Sequence, residues 1–159
     1  MSDASGKPAP TLKLDSFLPY RLSVLSNAVS RKIADMYERE FEISIWQWRI
    51  LAVLGESEGL TSTEVANRTL MDKPAVSRAT ATLLDRGLLS RTSDTSDRRK
   101  AALRLTKKGR EIYNAILPRA LAYEHDLLSS ISAEEVATLH GLLTRLSHIA
   151  SPDRDLWSE

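Results

Sequence analysis

Apolar positions recur along most of this chain at the spacing of a helix face. Leu18, Leu22, Leu25, Val29, Ile33, Met36 and Tyr37 fall at three- and four-residue steps. They form one stripe on a helix that reaches about Phe41 and is ~36 Å long. Pro19 lies in its first turn, where a missing amide is tolerated. A second helix, about Ile45 to Leu54, holds Trp46, Trp48, Ile50, Leu51 and Leu54, with Gly55 and Gly59 expected to close it. Thr61-Ser62-Thr63-Glu64 has the spacing of a capping box and opens a short helix through Val65, Ala66 and Leu70. Asp72 is the N-cap of the next, with Pro74 in its first turn. That helix runs from about Lys73 to Arg86 and ends at Gly87, a natural left-handed residue.

The pattern changes between Leu88 and Leu105. Leu88 to Thr92 and Ala101 to Leu105 are strand-like runs flanking a polar tip from Ser93 to Lys100, which predicts a hairpin with a long charged loop. Helical spacing resumes after Thr106 with Ile112, Ile116, Leu117, Leu121, Leu127 and Leu128, and Pro118 is expected to bend this helix. Ser132-Ala133-Glu134-Glu135 is another capping box, with Ile131 and Val136 as its hydrophobic staple. The last helix runs to about Ile149 and stops at Ser151-Pro152. The expected fold is mainly α with a small β-hairpin wing. Residues 1–16 read as a flexible tail and 17–41 as a first dimerisation helix. A winged helix-turn-helix core spans 42–105, C-terminal dimerisation helices 106–150, and a tail 151–159.

Two helices joined by the tight turn Thr69 to Asp72 and followed by a hairpin make a winged helix-turn-helix, whose second helix enters a DNA major groove. Phasing that helix at about 100° per residue places Val76, Ala79, Thr80, Leu83 and Leu84 on one face. Pro74, Ser77, Arg78, Ala81 and Thr82 fall on the other. Small residues let a helix sit deep in the groove. Arg78 can fork onto guanine O6 and N7, and Ser77 can bond a base edge or a phosphate. The candidate DNA contacts are Ser62, Thr63, Lys73, Pro74, Ala75, Ser77, Arg78 and Thr82, joined by Arg98, Arg99 and Lys100 of the loop.

Charge strengthens that reading once it is divided along the chain. The formal net charge is only +1, yet residues 86–110 hold nine Lys or Arg against Asp94 and Asp97, a local +7. Phosphate backbones attract such a segment. Within it, Asp97 can pair with Arg99 and hold its guanidinium for a narrow minor groove, while Arg98 and Lys100 meet the backbone. Arg99→Ala is therefore expected to weaken DNA binding by about 1–3 kcal/mol and leave the dimer intact. Asp97→Ala should weaken it too, although a negative charge is lost. Tighter binding by Asp97→Ala in an anisotropy titration would show that Asp97 merely repels DNA.

Composition narrows the rest. The chain has 159 residues, 42% hydrophobic and 27% charged, the balance of a soluble globular protein. It has no cysteine, which excludes disulfides, zinc–thiolate sites and thiol redox sensing. No secretory signal or membrane span is read, so a cytoplasmic protein is expected. A phosphate-binding glycine loop, a nucleophile elbow and a carboxylate pair beside a histidine are all missing, so no enzyme and no cofactor are expected. His125, His140 and His148 lack metal-ligand spacing, and no metal is expected. Trp46, Trp48 and Arg49, with Arg21, could floor a pocket for an aromatic carboxylate. The competing reading makes at least one of the tryptophans plain core.

The residues Asp72-Lys73-Pro74-Ala75-Val76-Ser77-Arg78, Leu83-Leu84-Asp85-Arg86-Gly87-Leu88, Asp94-Thr95-Ser96-Asp97-Arg98-Arg99-Lys100 and Leu105-Thr106-Lys107-Lys108-Gly109 together resemble the DNA-binding core of the MarR (multiple-antibiotic-resistance regulator) family. The order of elements is also similar over about residues 17–150. The resemblance implies a homodimeric bacterial transcription regulator, usually a repressor, released from a palindromic operator by a small anionic, often aromatic ligand. It also implies that the first and last two helices form the dimer and that the wing's aspartate–arginine pair is Asp97 and Arg99. Ser96 departs from the family, where many members carry a further arginine.

The stripes Leu18 to Tyr37 and Leu139 to Ile149 exceed what such a core can cover, and so call for a partner copy on their own account. A two-fold dimer would address half-sites about 34 Å apart. A different reading makes the chain a winged-helix module for protein assembly, its basic wing binding an acidic partner. The small, polar outer face around Ser77 and Arg78 favours DNA.

Overall fold

The computed structural model describes residues 11–92 and 101–151. A 3-10 turn at Leu14–Ser16 precedes helix α1 (Leu18–Phe41) and helix α2 (Ile45–Glu56). Strand β1 (Leu60–Thr61), helix α3 (Ser62–Thr69) and helix α4 (Lys73–Asp85) follow. Strands β2 (Leu89–Thr92) and β3 (Ala102–Leu105) then lead to helices α5 (Lys107–Leu128) and α6 (Ala133–Ala150).

Helix starts are set by side chains that answer the free amides of the first turn. Glu64 and Glu135 close the expected capping boxes with Thr61 and Ser132. The Thr61 amide, donating at 2.7 Å, and then its hydroxyl hold the Glu64 carboxyl below the usual carboxylate range. The Ser132 amide does the same for Glu135. Asp72 caps α4 by accepting from the Ala75 amide at 2.6 Å, and Thr106 caps α5 by accepting from Gly109 at 3.0 Å. Sequence reading missed a third box, Ser44 with Gln47, which opens α2.

Helix α2 lies at the centre, touching α3, α4, α5 and β3. Its Ile50, Leu51 and Leu54 are buried with Tyr37 and Ile43, Val65 of α3, Val76 and Leu83 of α4, Leu88, Leu103 and Ile116. Burial pushes the Tyr37 phenol up to about 12.

Four expectations need correcting. The hairpin is part of a three-stranded sheet in the order β1-β3-β2, both pairings antiparallel, with Leu60 opposite Leu103 and Leu89 opposite Leu105. Gly55 does not close α2 but lies inside it, and its missing Cβ leaves room for the Tyr113 ring of α5. Leu70 stands outside α3 as its left-handed C-cap, with φ 51°. The supposed N-terminal tail is structured at its end, where the Ser16 amide and hydroxyl both donate to the Lys13 carbonyl. Residues 1–10 of that tail and 152–159 of the other lie outside the described residues. Helix α5 continues through Pro118.

Helix α6 has no buried residue, and Leu139, Leu142, Leu143, Leu146 and Ile149 stand exposed along it. Leu18, Leu22, Val24 and Leu25 are exposed on the first half of α1.

Candidate nucleic-acid interface

The two faces of α4 divide as its phasing predicts. Val76, Ala79, Thr80 and Leu83 are buried, and Leu84 is half-buried. Pro74, Ser77, Arg78, Ala81 and Thr82 are exposed, as is Lys73 in the first turn, while Ala75 is half-buried. Gly87 has φ 67°, which lets the chain leave α4 and enter the sheet. The Thr80 hydroxyl is buried and has no hydrogen-bond partner among the described residues.

A groove of about 440 Å³ runs along one flank of α4. Ser62 and Thr63 from α3, Lys73, Ser77 and Ala81 from α4, and Arg91 from β2 line it. The structure thus brings four of the sequence-selected residues together and adds Arg91. That arginine shares a strand face with buried Leu89 two positions earlier, and Arg91 makes no ion pair with another described residue. The two-residue strand period was the signal that could have picked it out.

The other flank of α4 carries a second groove of about 490 Å³, lined by Trp46 and Arg49 of α2, by Leu70, and by Ala75, Arg78 and Thr82 of α4. The Arg49 guanidinium lies over the Trp46 ring, 5.3 Å from its centroid. Trp48 is elsewhere, between Tyr37 and Tyr113 at centroid separations of 5.8 and 5.9 Å. Of the four residues selected for a ligand pocket, Trp46 and Arg49 line this groove and Trp48 and Arg21 do not. Trp46 and Trp48 are two apart on a helix, which sets them about 200° apart. Arg21 lies in the exposed first half of α1 and lines neither groove.

Part of the basic segment serves the fold. The Arg86 guanidinium donates to the carbonyls of Phe41 and Glu42 at 2.7 and 2.6 Å, and the Lys108 ammonium donates to the Arg86 carbonyl. Arg104 and Arg110 both reach Glu58, at 3.5 and 2.5 Å. Asp97, Arg98, Arg99 and Lys100 lie outside the described residues.

A helix with a buried inner face and a small, polar outer face, backed by a second helix and a three-stranded sheet, defines a winged helix-turn-helix DNA-binding protein. The comparisons agree. A family model described as MarR family matches residues 41–100. The chain is 30% identical over 127 residues to the HTH-type transcriptional regulator TcaR of Staphylococcus aureus, covering 77% of this chain and 82% of that one. It is similar to a solved MarR/EmrR family transcriptional regulator from Acinetobacter sp. ADP1, at TM-score 0.82 and 26% identity over 89% of this chain and 99% of that one. PcaV of Streptomyces coelicolor, a transcriptional regulator solved with its natural ligand, shares the fold at TM-score 0.72 and 23% identity over 89% and 99%.

The chain belongs to the MarR family of transcription regulators. It is a DNA-binding regulator and not an enzyme, and these relatives do not favour the protein-docking reading. Among the described residues no helix is long and apolar enough to cross a membrane.

Proposed function

We propose that this chain is a homodimeric repressor that binds a palindromic operator and is released by a small ligand. In this reading residues 42–105 read DNA, while 17–41 and 106–150 join the two copies. Helix α4 enters the major groove with Arg78 and Ser77 toward base edges. Ser62, Thr63, Lys73 and Arg91 meet phosphates, Pro74, Ala75 and Thr82 pack against the groove wall, and Arg98, Arg99 and Lys100 reach the backbone and minor groove.

The observation that carries this reading is the exposed face of α4, which presents a serine, an arginine and small side chains with no large apolar group. Uncovered leucines on α6 and the first half of α1 support the dimer. A small anion, aromatic by family habit, is the effector class. It must bind the arrangement that fails to fit DNA more tightly than the one that fits, or it releases nothing.

The test is fluorescence anisotropy on DNA from upstream of the chain's own gene against a scrambled duplex, across a salt series. Tighter binding to its own DNA, with log K falling steeply against log salt, is expected. Equal weak binding to both at every salt concentration would overturn the reading.

A further inference from the structure

A helix with its side chains is roughly 10–12 Å across, and the major groove that receives it is about 12 Å wide. The two sugar–phosphate strands therefore pass along the two flanks of the inserted helix. One flank of α4 is served by the groove that gathers Ser62, Thr63 and Arg91. The opposite flank is bordered by the groove of Trp46 and Arg49, which also contains the exposed recognition-face residues Arg78 and Thr82.

Arg49 is suited to that second strand. Among the described residues it makes no ion pair or side-chain hydrogen bond, so its donors are not committed within the fold. The face of Trp46 supports its guanidinium, which restrains the long side chain before any contact forms. Trp46 is itself 48% exposed, so it is a platform at the surface and not a core anchor. The carboxylate that lines this groove, Asp72, is engaged as the α4 N-cap.

Resting on the function proposed above, we infer that the Trp46–Arg49 pair is a phosphate clamp for the DNA strand on the far flank of the recognition helix. It makes α2 a third DNA-contacting element beside α3–α4 and the wing. The clamp carries no base preference, because a phosphate looks the same at every step.

The test compares wild type, Arg49→Gln, Arg49→Lys and Trp46→Ala as full chains on the own-upstream and scrambled duplexes across salt, with thermal melting as a check on folding. Arg49→Gln is expected to weaken binding to both DNAs by a similar factor, on the order of tenfold, and to reduce the slope of log K against log salt by about 0.9. Arg49→Lys should restore the slope, and Trp46→Ala should weaken binding while keeping it, since the charge stays and only its support goes. An unchanged slope for a folded Arg49→Gln, with wild type still specific and salt-dependent, overturns the clamp and leaves the repressor reading standing. If Arg49→Gln does not fold, loss of slope in Arg49→Lys, which keeps the charge, overturns it instead. Wild type that fails to prefer its own DNA removes both.

Discussion

A chain carrying Leu142→Asp and Leu146→Asp is expected to be monomeric in light scattering and to bind operator DNA on the order of 100-fold or more weakly than wild type. The 18 residues of α6 bury no side chain in their own subunit. A helix of that length is marginal in water unless its apolar face is covered. Leu142 and Leu146 lie four apart on the stripe, at 49% and 38% exposure. An aspartate there costs the isolated subunit little, because the position is already in water. Across a subunit interface it becomes a buried charge without a partner, which costs several kcal/mol. Two half-sites held by one dimer gain from effective concentration, and a monomer forfeits that gain without losing any of its own DNA contacts. A double variant that stays dimeric would show that α6 does not make the interface.

Gly109→Ala should destabilise the fold by about 3 kcal/mol, near the upper end of what overpacking usually costs. The reading is a Tm lowered by roughly 6–12 °C in a thermal melt. Gly109 sits in the first turn of α5, buried, with its amide donating to the Thr106 hydroxyl. A Cβ there would collide with the carbonyl oxygen of Leu88. That oxygen is backbone, and it already accepts from the Thr106 amide at 3.0 Å, so it has little freedom to withdraw. Relief requires α5 to lift away from the start of the sheet. A melt within a degree or two of wild type would mean that the first turn of α5 can shift without loss.

Both predictions turn on features the sequence reveals unequally. The surplus of leucines on α6 is visible from periodicity, since a stripe that long has nothing in the remaining chain to cover it. Phasing at about 100° per residue assigns the α4 faces correctly because its inner and outer residues differ in size and polarity. Strand β1 is only two residues long, and it is a strand because β3 passes beside it. Local propensity carries no signal of that kind.

Gly55 looks like a helix stop until the Tyr113 ring, from far along the chain, claims its missing side chain. The two-residue spacing of Trp46 and Trp48 already sets their side chains on different faces of α2. The local charge of +7 overstated what is available to a ligand, since Arg86, Arg104, Lys108 and Arg110 bond within the fold. Charge counts do not distinguish a guanidinium aimed at solvent from one closing a helix end.

Arg86 has a mechanical meaning. It stands at the C-cap of α4 and grips the carbonyls of Phe41 and Glu42, where α1 ends and the backbone turns left-handed at φ 52°. The tail of the recognition helix and the tail of the long first helix are thereby riveted into one corner. A corner of this kind behaves as the elbow of a bell crank. A force on the free end of α1 acts on α4 through a moment arm set by the length of α1. The 24 residues of α1 give it leverage that a shorter helix would lack.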